Sequence, residues 1–216
     1  MSIPYDKWSY IYPPRPKTAV PFGDIVRYSD GRWEAQLKLN GTRNLIAVAP
    51  DGEVGFWNRH KAAHRAWSPP PWIVEEVRGR FACGKWVVVD SELLHSKHAS
   101  VKDTLYLFGA LVLDGRYLVG ETYEAGYRGL VAACGDPVRE VPGYGDFVAE
   151  VSRGIWLARM IPHARWGEAW SVAEANPIVE GMVLKRVGAK LEFGRSENNN
   201  GSWMIRCRKS TKNFAF

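Results

Sequence analysis

The sequence predicts a mixed α+β fold, with antiparallel sheets and flanking helices. Two long apolar segments, Lys85–Leu94 and Thr104–Leu113, have the length and composition of buried strands. Segments with helical spacing of apolar residues are fewer and are interleaved with the strands. No repeat and no internal linker divides the 216 residues, so we expect a single domain over residues 1–216.

The composition is that of a globular protein and favours an anionic partner. Hydrophobic residues make up 46% of the chain and charged residues 24%. A net charge of +6 indicates nucleic acid, a nucleotide or a membrane surface as partner. No apolar run has the length of a transmembrane helix, and the N-terminus lacks the apolar core of a signal peptide. We therefore expect a cytoplasmic protein without a membrane partner.

The first part of the chain is predicted to be an extended segment followed by short strands. Residues 1–22 contain five prolines among aromatic residues, which indicates an extended, proline-rich arm. Glu34–Lys38 and Leu45–Val48 are typical of two strands that meet at a turn on Asn40-Gly41, because this dipeptide accepts positive φ. A further short strand is expected at Glu53–Trp57.

Three helices are predicted in the remainder of the chain. Ser68, followed by three prolines, is expected to cap a helix that continues to Arg80. Apolar residues at helical spacing indicate two more helices, at Glu121–Ala133 and Pro162–Ala175. The other expected elements are strands at Val179–Lys185 and Trp203–Arg208 and a mobile loop at Gly194–Gly201.

Charged residues occur near the ends of strands that are otherwise apolar. Asp90 and Glu92 are two residues apart, as are Arg206 and Arg208, so each pair projects to one face of its strand. Burying such charges costs several kcal/mol each unless they are paired or bind a ligand. The pairs therefore indicate either ion pairs at sheet edges or a binding site.

Two lysines have the same kind of placement. Lys38 lies at a strand end and shares a face with Gln36. Glu180 and Lys185 lie on one apolar strand but have opposite parity. A kink at Gly181 would be needed to bring them to the same face.

In their order along the chain, these segments resemble the motifs of the covalent nucleotidyltransferases, the superfamily of ATP-dependent polynucleotide ligases and mRNA capping enzymes. The first motif, K-x-D-G, is similar to Lys38–Gly41, with Arg43 at a position where the family often has arginine. The other segments that resemble family motifs are Asp51–Arg59, Asp90–Glu92 (D-G-E), Tyr106–Gly109, Glu180–Lys185 (E-G-x-V-x-K) and Arg206–Arg208 (K-x-K).

The resemblance implies a nucleotidyltransferase (ATP-grasp-like ligase adenylation) domain. Three departures from the motifs are Asn40 for aspartate, Gly109 for an acid, and arginine for both final lysines. Eight residues follow Arg208, so we expect no OB-fold domain, and 37 residues precede Lys38, too few for the N-terminal domain of NAD-dependent ligases. ATP is therefore the expected donor. RNA ligases lack the OB-fold motif and vary more at position 40, which favours RNA ligase over DNA ligase.

The resemblance also implies a mechanism. Lys38 attacks the α-phosphorus of ATP, pyrophosphate leaves, and the resulting lysyl-AMP is passed to a 5′-phosphate, which a 3′-hydroxyl then joins. A free lysine is mostly protonated at neutral pH, and cationic neighbours such as Lys185 and Arg206 favour loss of that proton. Mg²⁺ is the expected metal ion, and Mn²⁺ is the expected substitute.

The residue roles implied by the resemblance are as follows. Lys38, Glu180 and Lys185 are catalytic, and Glu180 and Asp90 are the candidate metal ligands. Arg59 and Arg43 are expected to contact nucleic acid. The residues expected to bind the nucleotide are Gln36, Leu37, Arg43, Glu92, Phe108, Lys185, Arg206 and Arg208.

The expected substrate is nicked or broken RNA or DNA with a 5′-phosphate, joined by a monomeric repair enzyme in a bacterial cell or phage-infected host. The alternatives are an ATP-dependent DNA ligase, a GTP-dependent capping guanylyltransferase, and a catalytically silent nucleic-acid-binding domain. The spacings His60-x-x-x-His64 and His95-x-x-His98 also permit zinc ligation, although no third ligand is evident and exposed loops are the simpler interpretation.

Overall fold

The protein is described by a computed structural model over residues 15–97, 99–192 and 200–210. These residues form two β-sheets, three α-helices and short 3₁₀ turns. The first sheet has five strands, in the spatial order β1 (Arg15–Val20), β13 (Asn200–Arg208), β12 (Val179–Arg186), β2 (Trp33–Leu39) and β11 (Ile161–Pro162).

The second sheet is larger. Its spatial order is β4 (Val54–Asn58), β3 (Thr42–Val48), β5 (Val87–Leu94), β6 (Thr104–Leu113), β10 (Ile155–Ala158), β9 (Val148–Ser152) and β8 (Arg139–Glu140), and β7 (Arg116–Tyr117) also pairs with β6. Most strand pairs are antiparallel, as predicted. The prediction is wrong for β1 with β13 and for β10 with β6, which run parallel. The connection from β6 to β10 contains a helix, and such a crossover is what parallel strands require.

The three predicted helices are present as α1 (Pro71–Phe81), α2 (Tyr123–Cys134) and α3 (Trp166–Ala175). The predicted cap of α1 is wrong. Pro70 occupies the N-cap position without a side-chain hydrogen bond, and Ser68 lies before it. The run of prolines itself starts the helix, because the fixed φ of proline suits its first turn.

The ends of α2 and α3 have local causes. Thr122 caps α2, since its hydroxyl accepts a hydrogen bond of 3.1 Å from the Ala125 N–H, and Gly135 ends the helix at φ 65°. The helix predicted from Pro162 begins as α3 only at Trp166. A 3₁₀ turn at His163–Arg165 precedes it.

The chain bends at Asn40-Gly41, but the predicted turn between two paired strands is wrong, and neither residue has a positive φ. The strands on either side, β2 and β3, belong to different sheets, so the bend carries the chain from one sheet to the other. Glycine is required there by close packing. A Cβ at Gly41 would lie 2.5 Å from Glu92 Cγ and 2.6 Å from the Leu93 carbonyl oxygen.

The predicted arm and mobile loop are only partly covered. Residues 1–14 lie outside the described residues, and residues 15–20 are extended as strand β1, which pairs with β13. Residues 193–199 also lie outside them. Asn200 and Gly201, which were assigned to the loop, belong to β13.

Two apolar cores flank the sheets. One lies between the second sheet and helices α1 and α2, and the other contains the first sheet and α3. Strands β8 to β11 were not predicted, because they are two to five residues long and have no clear alternation. None of the described helices combines the length and apolar content needed to cross a bilayer.

Candidate active site

One face of the first sheet collects five of the predicted site residues. Directly paired residues of neighbouring strands project to the same side, and so do alternate residues along a strand. The registers of β2, β12 and β13 therefore place Gln36, Lys38, Lys185, Arg206 and Arg208 on one face.

The predicted kink at Gly181 is present as a β-bulge. The register between β12 and β2 shifts at this point, and Glu180 is the extra residue. Gly181 has φ 140°, and a Cβ there would lie 2.1 Å from the Cys207 carbonyl oxygen, so only glycine fits. The bulge lets the Glu180 carboxylate accept a hydrogen bond from Lys38 Nζ. Lys185 makes its hydrogen bonds elsewhere.

Lys38 and Glu180 form a partly exposed ion pair. Their side chains are 25% and 21% exposed, respectively. Arg208 approaches the same carboxylate at 3.6 Å. Burial alone would raise the pKa of Glu180, but the charges of Lys38 and Arg208 and the hydrogen bond from Lys38 lower it below its ordinary value. Glu180 is therefore ionised at neutral pH.

The second sheet contributes acids and an aromatic ring. Arg43 donates hydrogen bonds to both carboxylate oxygens of Asp90, and its guanidinium lies 4.7 Å from the centre of the Phe108 ring. Glu92 is the register partner of Arg43. Burial raises the pKa of Glu92, and the positive charges of Lys38 and Arg43 oppose that shift.

These groups meet at a cavity of about 130 Å³ between the two sheets. The predicted site residues that line it are Gln36, Leu37, Lys38, Arg43, Asp90, Glu92, Phe108 and Lys185. Most of the remaining lining is apolar. Arg59 lies elsewhere, in the exposed loop after β4, where its Nε is 3.1 Å from His60 Nε2.

Lys185 is buried in a compact polar network. Its ammonium donates to Gln36 Oε1, to the Tyr123 hydroxyl at 2.8 Å and to the Phe108 carbonyl oxygen at 3.2 Å. Phe108 is the extra residue of a second bulge, between β5 and β6, which directs its carbonyl away from the strand ladder. Burial lowers the pKa of Lys185 to about 7, although the charge of Asp90 acts to raise it.

Two residues at the site were not assigned a role from the sequence. Tyr123 lies at the start of α2, and its pairing with Gln36 spans 87 positions, so no local pattern points to it. Lys97 follows β5, and its Nζ donates to Asn40 Oδ1 at 3.1 Å and to the Gly41 carbonyl oxygen. Its position in a basic loop gave the only signal.

Glu180 fits a metal ion that is shared with a phosphate ligand, whereas Asp90, the other predicted metal ligand, is buried and accepts hydrogen bonds from Arg43 at both oxygens. Mg²⁺ is usually held by one or two carboxylates, and substrate phosphates and water complete its shell. Glu180 and Glu92 both interact with Lys38. No group of three or more His, Cys, Asp or Glu side chains suited to a metal ion occurs in the described part of the chain.

The fold is similar to that of solved ligases. The ligase domain from M. tuberculosis LigD matches with a TM-score of 0.57 at 15% identity. The match covers 90% of this chain and 59% of that domain. A mycobacterial DNA ligase D complexed with ATP and MES gives 0.59 at 16% identity, covering 90% of this chain and 60% of that one. A structure named Pmar-Lig_Pre gives 0.60 at 16% identity, covering 95% and 48%.

No protein-family model and no curated protein matches the chain. The chain spans about three fifths of the length of the first two ligase structures. The fold is thus that of ligase domains, as the resemblance in the motifs implies.

Proposed function

We propose that this protein is an ATP-dependent polynucleotide ligase that forms a covalent lysyl-AMP on Lys38. One observation carries the proposal. Lys38, on a ligase-type fold, lies in the wall of a cavity that also contains an aromatic ring, acids and further cations. A partly exposed lysine that is held by a carboxylate and lies beside groups able to bind a base, a ribose and phosphates is suited to covalent catalysis.

In the first step, the neutral Lys38 amine attacks the α-phosphorus of ATP. The N–P bond forms, the bond from the α-phosphorus to the pyrophosphate oxygen breaks, and the amine releases a proton to water. Glu180 already binds Lys38 Nζ and can hold the amine in line. Arg206, Arg208 and Lys185 lie on the same sheet face and supply positive charge to the phosphate.

The rest of the cavity is assigned to the nucleoside. Phe108 offers a ring for stacking on the adenine, Glu92 accepts a hydrogen bond from a ribose hydroxyl, and Gln36 with the adjoining Leu37 peptide contacts the base edge. The mycobacterial ligase D structure contains ATP, and the same nucleotide is proposed here. Bound Mg²⁺ (or Mn²⁺) would add positive charge at the phosphates. Glu180 would hold the metal ion, and Asp90 would join it if one Asp90 carboxylate oxygen gave up its hydrogen bond from Arg43.

In the later steps AMP moves to the 5′-phosphate of a nucleic acid strand. A phosphate oxygen replaces Lys38 on the AMP phosphorus. A 3′-hydroxyl then attacks the 5′-phosphorus and AMP leaves. Arg43 and Arg59 are the proposed contacts to the strand. RNA is the preferred strand because of Asn40, and DNA is the second candidate because the similar ligase D structure is a DNA ligase.

The test is incubation with α-labelled ATP or GTP and Mg²⁺, followed by a denaturing gel. Label from ATP is expected on the wild-type protein and on Lys85→Ala, an exposed lysine paired with Asp114, and none on Lys38→Ala. Nicked RNA and DNA duplexes then identify the strand. Label from GTP alone would indicate a capping enzyme. No label on folded protein that carries no AMP by mass would leave a nucleic-acid-binding domain.

A further inference from the structure

The hydroxyl group of Tyr123 joins three groups of the cavity wall. It lies 2.9 Å from Gln36 Oε1, 2.9 Å from the Phe108 carbonyl oxygen and 2.8 Å from Lys185 Nζ. These groups come from three different strands, and Tyr123 comes from a helix. The residue is buried and lines the cavity, yet it belongs to none of the segments that resemble family motifs.

The hydrogen-bonding capacities of these groups fix the arrangement. A lysine ammonium has three N–H donors and no acceptor, and here three oxygens surround it. The Tyr123 hydroxyl must therefore accept from Lys185, and its one proton goes to Gln36 Oε1 or to the Phe108 carbonyl. Gln36 Nε2 donates to the Ala158 carbonyl oxygen at 3.1 Å, so the amide oxygen faces Lys185 and Tyr123.

We propose that Tyr123 is a positioning residue of the nucleotidyl-transfer site: its hydroxyl holds the Lys185 ammonium and the Gln36 amide in one unit on the cavity wall. Without the hydroxyl, the ammonium keeps two of its three acceptors and the amide oxygen loses a neighbour. The effect on catalysis rests on the proposed function, whereas the hydrogen-bonded unit itself does not.

The protonation state of Lys185 depends on these hydrogen bonds, so its titration can be used to test them. Burial lowers the pKa of Lys185 to about 7. The hydroxyl of Tyr123 accepts from the charged amine and so favours its protonated form, and the tyrosine ring lies 4.3 Å from Nζ. The other charged groups that face Lys185 are Asp90 of β5, Arg43 of β3 and Glu34 of β2, which is the register partner of Lys185.

Tyr123→Phe removes the hydroxyl and keeps the ring. Because a hydrogen bond to a charged group is lost, we expect the titration midpoint of Lys185 to fall by about one pH unit. Tyr127→Phe is the matched control. Tyr127 lies on the same helix, and its hydroxyl donates to the Ala158 carbonyl oxygen at 2.7 Å instead of contacting Lys185.

The midpoint can be measured by NMR on nucleotide-free protein labelled at the lysine Cε, with the Lys185 signal assigned by its loss in Lys185→Arg. A lower midpoint in Tyr123→Phe and an unchanged one in Tyr127→Phe would support the proposal. Equal midpoints in the wild type and Tyr123→Phe would overturn it.

The second measurement is the pH profile of lysyl-AMP formation at saturating ATP. In Tyr123→Phe, the decline at high pH is expected to begin at a lower pH, by the same shift as the NMR midpoint. A uniform loss of rate at every pH would show a structural role only and overturn the positioning role. Absence of adenylate in the wild type would refute the proposed function, and the NMR titration would still decide whether Tyr123 holds Lys185.

Discussion

Lys38 and Lys185 project from the same face of one sheet, but their surroundings differ in kind. Lys38 is partly exposed and is held by the charge of Glu180. Lys185 is 4% exposed and is held by three neutral oxygens. The ion pair leaves the Lys38 amine within reach of a ligand. Burial among uncharged oxygens instead lowers the pKa of Lys185 and so changes the pH range in which its amine is charged. Lys38 is thus suited to nucleophilic attack, whereas Lys185 is suited to a charge that depends on pH near neutrality.

The largest effect is expected from disruption of the bulge in β12, which places Glu180 beside Lys38 and away from Lys185. In Gly181→Ala the new Cβ meets the Cys207 carbonyl oxygen at 2.1 Å and φ stays positive, so we expect a loss of about 3 kcal/mol of unfolding free energy. Urea denaturation measures it. Gly188→Ala, where nothing lies within 4 Å, is the control and is expected to keep wild-type stability. Equal midpoints for the two variants would contradict the bulge requirement.

The second test removes the charge that holds Lys38. Glu180→Gln keeps the size of the side chain but leaves the amine without its carboxylate, so the rate of lysyl-AMP formation is expected to fall about 100-fold. Single-turnover labelling with ATP measures the rate. Glu168→Gln, on an exposed carboxylate paired with Arg165, serves as the control. A rate within twofold of wild type would show that Glu180 does not position the nucleophile.

The third test uses the burial of Lys185. Its folded-state pKa of about 7 lies below its ordinary 10.5, so between these values the unfolded chain binds more protons and the free energy of unfolding rises with pH. Between pH 7 and 9 the rise is expected to be about 2 kcal/mol. Lys185→Met should lack this rise when urea midpoints are compared at the two pH values. Parallel pH dependences in the two proteins would contradict a buried, titrating amine.

The smallest expected effect concerns the aromatic ring of Phe108 in the cavity wall. Phe108→Leu removes a stacking surface, and we expect the KM for ATP to rise about tenfold with little change in kcat. Phe22→Leu, whose ring stacks on Trp170 at 4.7 Å, is the control and should leave KM unchanged. A change in kcat without a change in KM would place Phe108 in the chemistry rather than in nucleotide binding.

Parts of the fold were predictable because they depend on local pattern. Strand β6 has the predicted bounds, since its apolar run is long and ends at a turn formed by Asp114 and Gly115, both with positive φ. The kink at Gly181 followed from the opposite parity of Glu180 and Lys185. The two members of each charged pair on β5 and β13 also share one face of their strand, as predicted.

Other features depend on contacts that no local pattern records. The sequence at Asn40-Gly41 indicates a turn but cannot show that the flanking strands enter different sheets. Strand β10 is four residues long and is stabilised by pairing with β6, which lies about 50 positions earlier in the sequence. Tyr123 lies within the helix predicted at Glu121–Ala133, and its hydroxyl gains a role only because α2 packs over the cavity.

The bulge in β12 also limits how the length of this strand can vary. Side chains alternate along a strand, so deletion or insertion of one residue between Gly181 and Lys185 would exchange the two faces beyond that point. Leu184 would then face the cavity and Lys185 the apolar core. Replacement of the buried Met182 by a side chain of similar volume keeps the alternation. This segment can therefore accept changes of residue type, but not changes in the number of residues.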